Sequence, residues 1–105
     1  MRILFDQGTP TPLRAALIGH TVDTAYERGW STLGNGALLA AAEAAAFEVL
    51  VTTDQQLRHQ QPVTGRRLAI LVLPTTNWPE IQRQAATVVA AVAAMQPGAF
   101  VELRW

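Results

Sequence analysis

The sequence predicts an α/β fold, a three-layer α/β/α sandwich built on a mostly parallel sheet of five strands. Segments rich in β-branched and aliphatic residues alternate along the chain with segments of helical character. The early strand segments are continuously apolar, which is typical of strands that are buried on both faces of a parallel sheet. The 105 residues leave room for one domain only, spanning 1–105.

The first half of the chain predicts a strand, a helix, a second strand and a second helix. Arg2 to Phe5 is a short β-branched and aromatic run that ends at Asp6. A helix is expected from about Pro12 to Ile18, and His20 to Ala25 returns to strand character. Ala37 to Phe47 consists almost wholly of Ala and Leu and predicts the second helix.

The second half predicts three further strands and a long helix. Glu48 to Thr53 is the clearest strand segment, and Gln55 to Arg67 is expected to be an exposed basic loop with one helical turn. Leu68 to Leu73 is an apolar strand. A long helix opens at Trp78, and Phe100 to Trp105 alternates as an edge strand does.

Composition excludes several classes of function. Eight Arg balance eight Asp and Glu, so the net charge of zero gives no strong long-range attraction to nucleic acid or anionic membrane. The chain has no Lys and no Cys, which excludes lysine chemistry, disulfides and thiol catalysis. Since no apolar run reaches membrane length, we expect a soluble, cytoplasmic protein that does not bind a membrane.

Two aspartates occupy equivalent places in the predicted sheet. Asp6 and Asp54 each follow a strand, and the carboxyl ends of parallel strands are where ligands gather in open α/β sheets. Two such carboxylates can share one divalent cation, Mg²⁺ or Mn²⁺. The alternative is that each aspartate only caps the loop or helix that follows it.

The second predicted helix carries two further candidates for a metal site. Glu43 is the single charged residue of its Ala-rich segment, and its side chain either points at the aspartates or lies at the surface. Asn35 stands at the start of that helix as a cap or as a neutral metal ligand.

The predicted basic loop offers candidates for phosphate contacts. Arg58, Arg66 and Arg67 are guanidinium groups suited to binding a phosphate backbone, and the alternative is an ordinary solvated loop.

These residues together resemble a known family, the small PIN-like domains related to the ribonuclease toxins of type II toxin-antitoxin pairs. The resemblance spans about two thirds of the chain and rests on five sequence elements: Arg2-Ile3-Leu4-Phe5-Asp6, Gly19-His20-x-Val22, Gly29-Trp30, Asn35-Gly36-x-Leu38-Leu39, and Val51-Thr52-Thr53-Asp54 followed by Leu57 and Gln60-Gln61. It implies a sheet ordered 3-2-1-4-5, Mg²⁺ or Mn²⁺ held by acids, and cleavage of RNA by a metal-activated water.

The resemblance yields a leading hypothesis and an alternative. The leading hypothesis is a metal-dependent ribonuclease, the toxin of a toxin-antitoxin pair, with Asp6, Asp54 and Glu43 as catalytic residues and with RNA, a cognate antitoxin and a second copy as partners. PIN-like relatives usually carry a further acid where this chain has Gln7 and Asn35. The alternative is therefore a catalytically weakened module that binds protein or nucleic acid. A phosphoacceptor receiver domain is disfavoured because that class relies on a lysine.

Overall fold

The computed structural model describes residues 1–63 and 65–105, so Thr64 of the predicted basic loop lies outside the described residues. The strands are β1 (Arg2–Phe5), β2 (Thr21–Thr24), β3 (Val49–Thr52), β4 (Ala69–Val72) and β5 (Phe100–Glu102). The helices are a 3₁₀ helix (Thr11–Ala16), α1 (Asn35–Ala44), α2 (Leu57–Gln60), α3 (Trp78–Arg83) and α4 (Ala85–Ala94).

The five strands form one sheet in the order β2-β1-β3-β4-β5, and every neighbouring pair is parallel. The α/β class and the parallel sheet are confirmed. The expected order 3-2-1-4-5 is wrong, because β3 pairs directly with β1 instead of lying at the edge beyond β2. The observed order is the flavodoxin-like one, in which the strand order reverses between β1 and β3, so that β2 lies on one side of β1 and all later strands lie on the other.

The burial of the strands explains this order. All four residues of β3 and of β4 are buried, whereas β2 alternates and β5 is half-buried throughout. The expected order would place β3 at an edge of the sheet, where only one of its two sides would be paired with a neighbouring strand and its apolar residues would be less buried. Interior positions therefore go to the most apolar strands, and the two polar strands become the edges.

Helices cover both faces of the sheet. On one face Ile3 and Phe5 belong to a core cluster with Leu13 of the 3₁₀ helix and with α3 and α4. On the other face Leu4 packs in a second cluster with α1 and α2. Since successive residues of a strand point to opposite faces, β1 alone contributes to both cores. This arrangement gives the three predicted layers.

Helix α1 ends three residues before the predicted boundary at Phe47. The backbone N–H of Ala46 donates to the carbonyl of Glu43, and that of Phe47 donates to the carbonyl of Ala42, both at 3.0 Å. This is the Schellman pattern of a helix C-terminus, and Ala46 has the left-handed φ of 63° that it requires. An Ala-rich sequence hides the stop because glycine usually occupies that position.

The predicted long helix after Trp78 is divided into α3 and α4 at Gln84. The backbone N–H of Gln84 donates to Ile81 at 3.0 Å, the i→i+3 bond of a tightened last turn. None of the helices in residues 1–63 and 65–105 has both the length and the apolar character needed to cross a membrane.

Candidate functional site

The point where the strand order reverses, between β1 and β3, brings the two predicted aspartates to the carboxyl edge of the sheet. Asp6 directly follows β1, and Asp54 lies two residues beyond Thr52, the last residue of β3. The backbone N–H of Asp6 donates to the carbonyl of Val51 at 3.1 Å, which extends the β1–β3 pairing to the aspartate itself. Ligands bind at such reversal points in open α/β sheets because the loops diverge there.

A buried threonine hydroxyl joins the two aspartate segments. The hydroxyl of Thr52 donates to Oδ2 of Asp6. The Thr52 hydroxyl oxygen also accepts from the backbone N–H of Asp54 at 3.1 Å. Thr52 is only 1% exposed, so this hydroxyl is held by the core beneath it. The relative positions of the two aspartates therefore depend on one side chain of β3.

Asp6 is a carboxylate in a largely buried, polar pocket. Its Oδ1 accepts from the backbone N–H of Thr9 at 3.1 Å and lies 2.7 Å from the Thr9 hydroxyl. Burial raises the pKa of Asp6 above its ordinary value, while the hydrogen bonds from Thr52 and Thr9 oppose that rise. None of the described residues forms an ion pair with Asp6. The negative charge is thus costly here without a cation.

Asp54 is held by two donors from different elements. Its Oδ1 accepts from the backbone N–H of Gln56 at 2.9 Å, and its Oδ2 accepts from Nδ2 of Asn35 at 2.8 Å. The same Nδ2 donates to Oε1 of Gln60 at 2.7 Å. Asn35 therefore belongs to the site, where its amide orients Asp54.

Of the two roles expected for Asn35, a helix cap or a neutral metal ligand, the structure contradicts the cap. Asn35 is the first residue of α1, the cap position belongs to Gly34, and no side chain makes a cap hydrogen bond there. The Asn35 side chain turns instead toward the end of β3 and toward α2.

Sequence reasoning assigned no part in this site to Gly8, Thr9 or Gln60. A Cβ at Gly8 would lie 2.5 Å from the Thr53 hydroxyl, so the loop after β1 packs directly against the loop after β3. The Asp-x-x-Thr spacing of Asp6 and Thr9 is the available signal, since an aspartate commonly accepts from the residue three positions on. No local pattern points to Gln60, whose role depends on where α2 lies.

Glu43 does not join the aspartates. Its carboxylate forms an ion pair with the guanidinium of Arg66. It also lines a cavity of about 310 Å³ with Met1, Glu48 and Val49, which lie at the amino ends of β1 and β3. Helix α1 runs back across the sheet, so that Asn35 lies at the carboxyl edge and Glu43 at the amino edge. The expected catalytic or ligand role of Glu43 beside Asp6 and Asp54 is therefore corrected.

The three predicted phosphate-binding arginines do not form one patch. Arg58 pairs with Glu102 at the end of β5, with 3.1 Å between Nη1 and Oε1. Arg66 pairs with Glu43 at the amino edge of the sheet, and Arg67 is exposed beside the same cavity. Two of the three charges are thus compensated, and the arginines are divided between opposite edges of the sheet.

A polar cleft of about 330 Å³ opens beside Asp6. It lies between the carboxyl ends of β1 and β2. The segment after β1 lines it with Asp6, Gln7, Thr9 and Thr11, and the end of β2 with the following turn lines it with Thr24, Tyr26 and Glu27. The cleft gives Asp6 a route to a ligand.

The donor set at this edge fits a hard divalent cation. The side chains of Asp6, Asp54 and Thr52 present only oxygen, which suits Mg²⁺ and Mn²⁺. Within the described part of the chain no cluster of three or more His, Cys, Asp and Glu side chains is placed to bind a metal. Two carboxylates still fit Mg²⁺, because that ion is usually held by one or two carboxylates together with water and substrate phosphates.

No protein-family model, no curated protein and no solved structure matches the chain.

Proposed function

We propose that this protein is a metal-dependent hydrolase of RNA phosphodiesters, of the PIN-like type that its sequence resembles. The observation that carries the proposal is the pair of aspartates at the point where the strand order reverses. The Thr52 hydroxyl links them, since it donates to the carboxylate of Asp6 and accepts from the backbone N–H of Asp54. The roles of toxin, antitoxin partner and homodimer belong to the same proposal and rest on the resemblance alone.

The raised pKa of Asp6 supports a cation at this site. Burial works against the charged form, and the described residues supply no cation to compensate it. A carboxylate kept in such surroundings gains most from a bound metal ion.

Each residue of the site has a distinct role in the proposed reaction. Asp6 and Asp54 would hold Mg²⁺ or Mn²⁺, which supplies a hydroxide-like water and charge stabilisation for the phosphate when it is bound. Thr52 holds the carboxylate of Asp6 and the backbone N–H of Asp54, and Asn35 directs Oδ2 of Asp54. Substrate reaches Asp6 from the cleft beside β2.

The decisive experiment compares metal binding with cleavage. Mn²⁺ is titrated by calorimetry into the parent protein and into the Asp6→Asn and Asp54→Asn variants, and each protein is assayed on a fluorescent RNA. Either substitution removes half of the acidic charge, so we expect binding and cleavage to be lost together. Asp23→Asn is the matched control, because Asp23 lies on β2 and faces Arg28 at 3.7 Å. Unchanged Mn²⁺ affinity in Asp54→Asn would refute the metal site.

A second candidate, a binding module with little or no catalysis, is favoured by one specific observation. Asn35 stands where relatives place a further acid, and its amide already satisfies Asp54 without a metal. Metal binding by the parent protein without any cleavage of RNA supports this candidate over the first.

A further inference from the structure

Tyr26 is a solvent-exposed aromatic side chain on the wall of the cleft that contains Asp6. It follows β2 directly after Ala25, is 76% exposed, and lines the cleft of about 330 Å³ between the ends of β1 and β2. Single exposed apolar residues are common on protein surfaces. Tyr26 differs from Ile18, which is 87% exposed, in that Ile18 does not line this cleft.

The fold itself makes little use of the Tyr26 ring. The ring belongs to neither of the two core clusters, and no aromatic or cation–π pair includes it among the described residues. The backbone of Tyr26 closes the turn after β2 by accepting from the N–H of Gly29 at 3.0 Å. The turn therefore depends on the main chain and leaves most of the Tyr26 side chain accessible to a ligand.

The acid nearest to Tyr26 in sequence is compensated. Glu27 forms an ion pair with Arg14 at 2.7 Å and accepts from the backbone N–H of Thr24 at 2.9 Å. These contacts occupy one oxygen of the carboxylate and place a guanidinium beside it. Because the guanidinium of Arg14 compensates Glu27, the acids of the cleft repel an anionic ligand less than two free carboxylates would.

Two of the threonines in the cleft have inward-facing partners. The Thr9 hydroxyl lies within hydrogen-bond distance of Asp6 and of the Val51 carbonyl, and the Thr24 hydroxyl accepts from the N–H of Glu27. Among the residues of the cleft, Gln7, Thr11, Tyr26 and Glu27 are exposed, and Tyr26 alone offers an aromatic surface to a ligand. An exposed aromatic ring beside polar side chains suits a ligand that has a planar, apolar face attached to a polar backbone.

We propose that Tyr26 is a substrate-binding residue that stacks on a nucleobase of single-stranded RNA and so places the adjoining phosphate near Asp6. This inference rests on the proposed function and adds the residue that holds the base. Stacking on an aromatic side chain tolerates every base, since each base has a π-face, and it requires an unpaired strand. The proposal thus predicts a preference for single-stranded over duplex RNA.

The test measures base stacking separately from cleavage. A short fluorescein-labelled single-stranded RNA is titrated with the parent, Tyr26→Ala, Tyr26→Trp and Ile18→Ala proteins, in EDTA and again with Mn²⁺, and anisotropy gives the affinity. The four proteins are then compared on a strand of the same length in which every position is abasic. Since Tyr26 is exposed, its variants are expected to fold as the parent does, which circular dichroism checks.

We expect Tyr26→Ala to weaken binding by roughly 5- to 150-fold, the range that loss of one stacked base gives. Tyr26→Trp and Ile18→Ala stay within about twofold of the parent, because stacking is retained in one and untouched in the other. On the fully abasic strand the difference in affinity between parent and Tyr26→Ala disappears, because no base remains to stack.

The outcomes separate this inference from the proposed function. If the parent protein cleaves RNA and Tyr26→Ala binds and cleaves equally well, base stacking by Tyr26 is refuted and the hydrolase proposal stands. If binding depends on Tyr26 but no protein cleaves, stacking stands and hydrolysis fails. A parent that binds no single-stranded RNA in EDTA or in Mn²⁺ overturns both.

Discussion

The hydroxyl of Thr52 donates to the carboxylate of Asp6, so the end of β3 supports the residue that follows β1. The hydroxyl oxygen of Thr52 also accepts from the backbone N–H of Asp54. The same side chain therefore contributes to the β1–β3 contact and to the candidate site, and a substitution of Thr52 should affect both the stability of the fold and the geometry of the site.

Replacement of Thr52 by Val should destabilise the protein by about 1–3 kcal/mol. The change is nearly isosteric, but it leaves Oδ2 of Asp6 without its donor and the N–H of Asp54 without its acceptor. Thr52→Ser keeps the hydroxyl and is the matched control, with a smaller loss. Urea unfolding in EDTA measures the difference, and a Val variant as stable as the parent would contradict the proposed linkage.

Asp6→Asn should become more stabilising, relative to the parent protein, as pH rises in metal-free buffer. Burial raises the pKa of Asp6 in the folded state, so the unfolded state releases this proton first. The contribution of Asp6 to stability is complete below its ordinary pKa, near 3.8, and is lost as pH rises through the higher folded value. Melting temperatures of the two proteins from acid to neutral pH test this. A constant difference argues against a raised pKa, and saturating Mg²⁺ should reverse the trend.

Asn35→Asp should make the stability of the protein depend on the metal. The amide of Asn35 donates to Asp54 and to Gln60, and a carboxylate at this position loses both bonds and faces Asp54 with like charge. In EDTA we expect a loss of about 1–3 kcal/mol, which exceeds the loss in Asn35→Ala. Mn²⁺ should bind Asn35→Asp more tightly than the parent and close that gap. Equal behaviour of the two variants in EDTA and in Mn²⁺ would show that position 35 does not face a cation.

Glu43→Gln should leave RNA cleavage and Mn²⁺ affinity within about twofold of the parent, because Glu43 pairs with Arg66 away from the aspartates. The expected cost is a small loss of stability from the weakened ion pair, below about 1 kcal/mol. Single-turnover cleavage assays measure the first effect. A tenfold fall in cleavage with the fold intact would return Glu43 to the site.

Ala46→Gly should stabilise the protein by about 0.5–1 kcal/mol. Ala46 has a φ of 63° at the end of α1, a conformation that costs an L-residue about 1–2 kcal/mol and that glycine adopts without this cost. Glycine also makes the unfolded chain more flexible, which offsets about 0.5–1 kcal/mol of the stabilisation. Ala45, with φ of −88°, is the control, and Ala45→Gly should destabilise. Thermal unfolding of both variants distinguishes local backbone strain from a general effect of added glycine.

The local pattern of the sequence was enough to predict the strands and two residues of the candidate site. The apolar runs of β3 and β4 predict buried strands, and chain order alone places Asp6 and Asp54 after strands. Strand segments can be predicted in this way because their burial depends on how apolar their own residues are.

Strand order, the position of Glu43 and the partners of Asn35 were decided by tertiary structure. The 3-2-1-4-5 order came from a resemblance, whereas the observed order places the fully buried β3 beside β1. An Ala-rich helix has no distinct apolar face, so periodicity did not show which way Glu43 points. Asn35 meets Asp54 and Gln60, 19 and 25 residues further along the chain, only because α1 begins where β3 ends and α2 follows. Such contacts join segments that are distant in sequence, and no local pattern of residues encodes them.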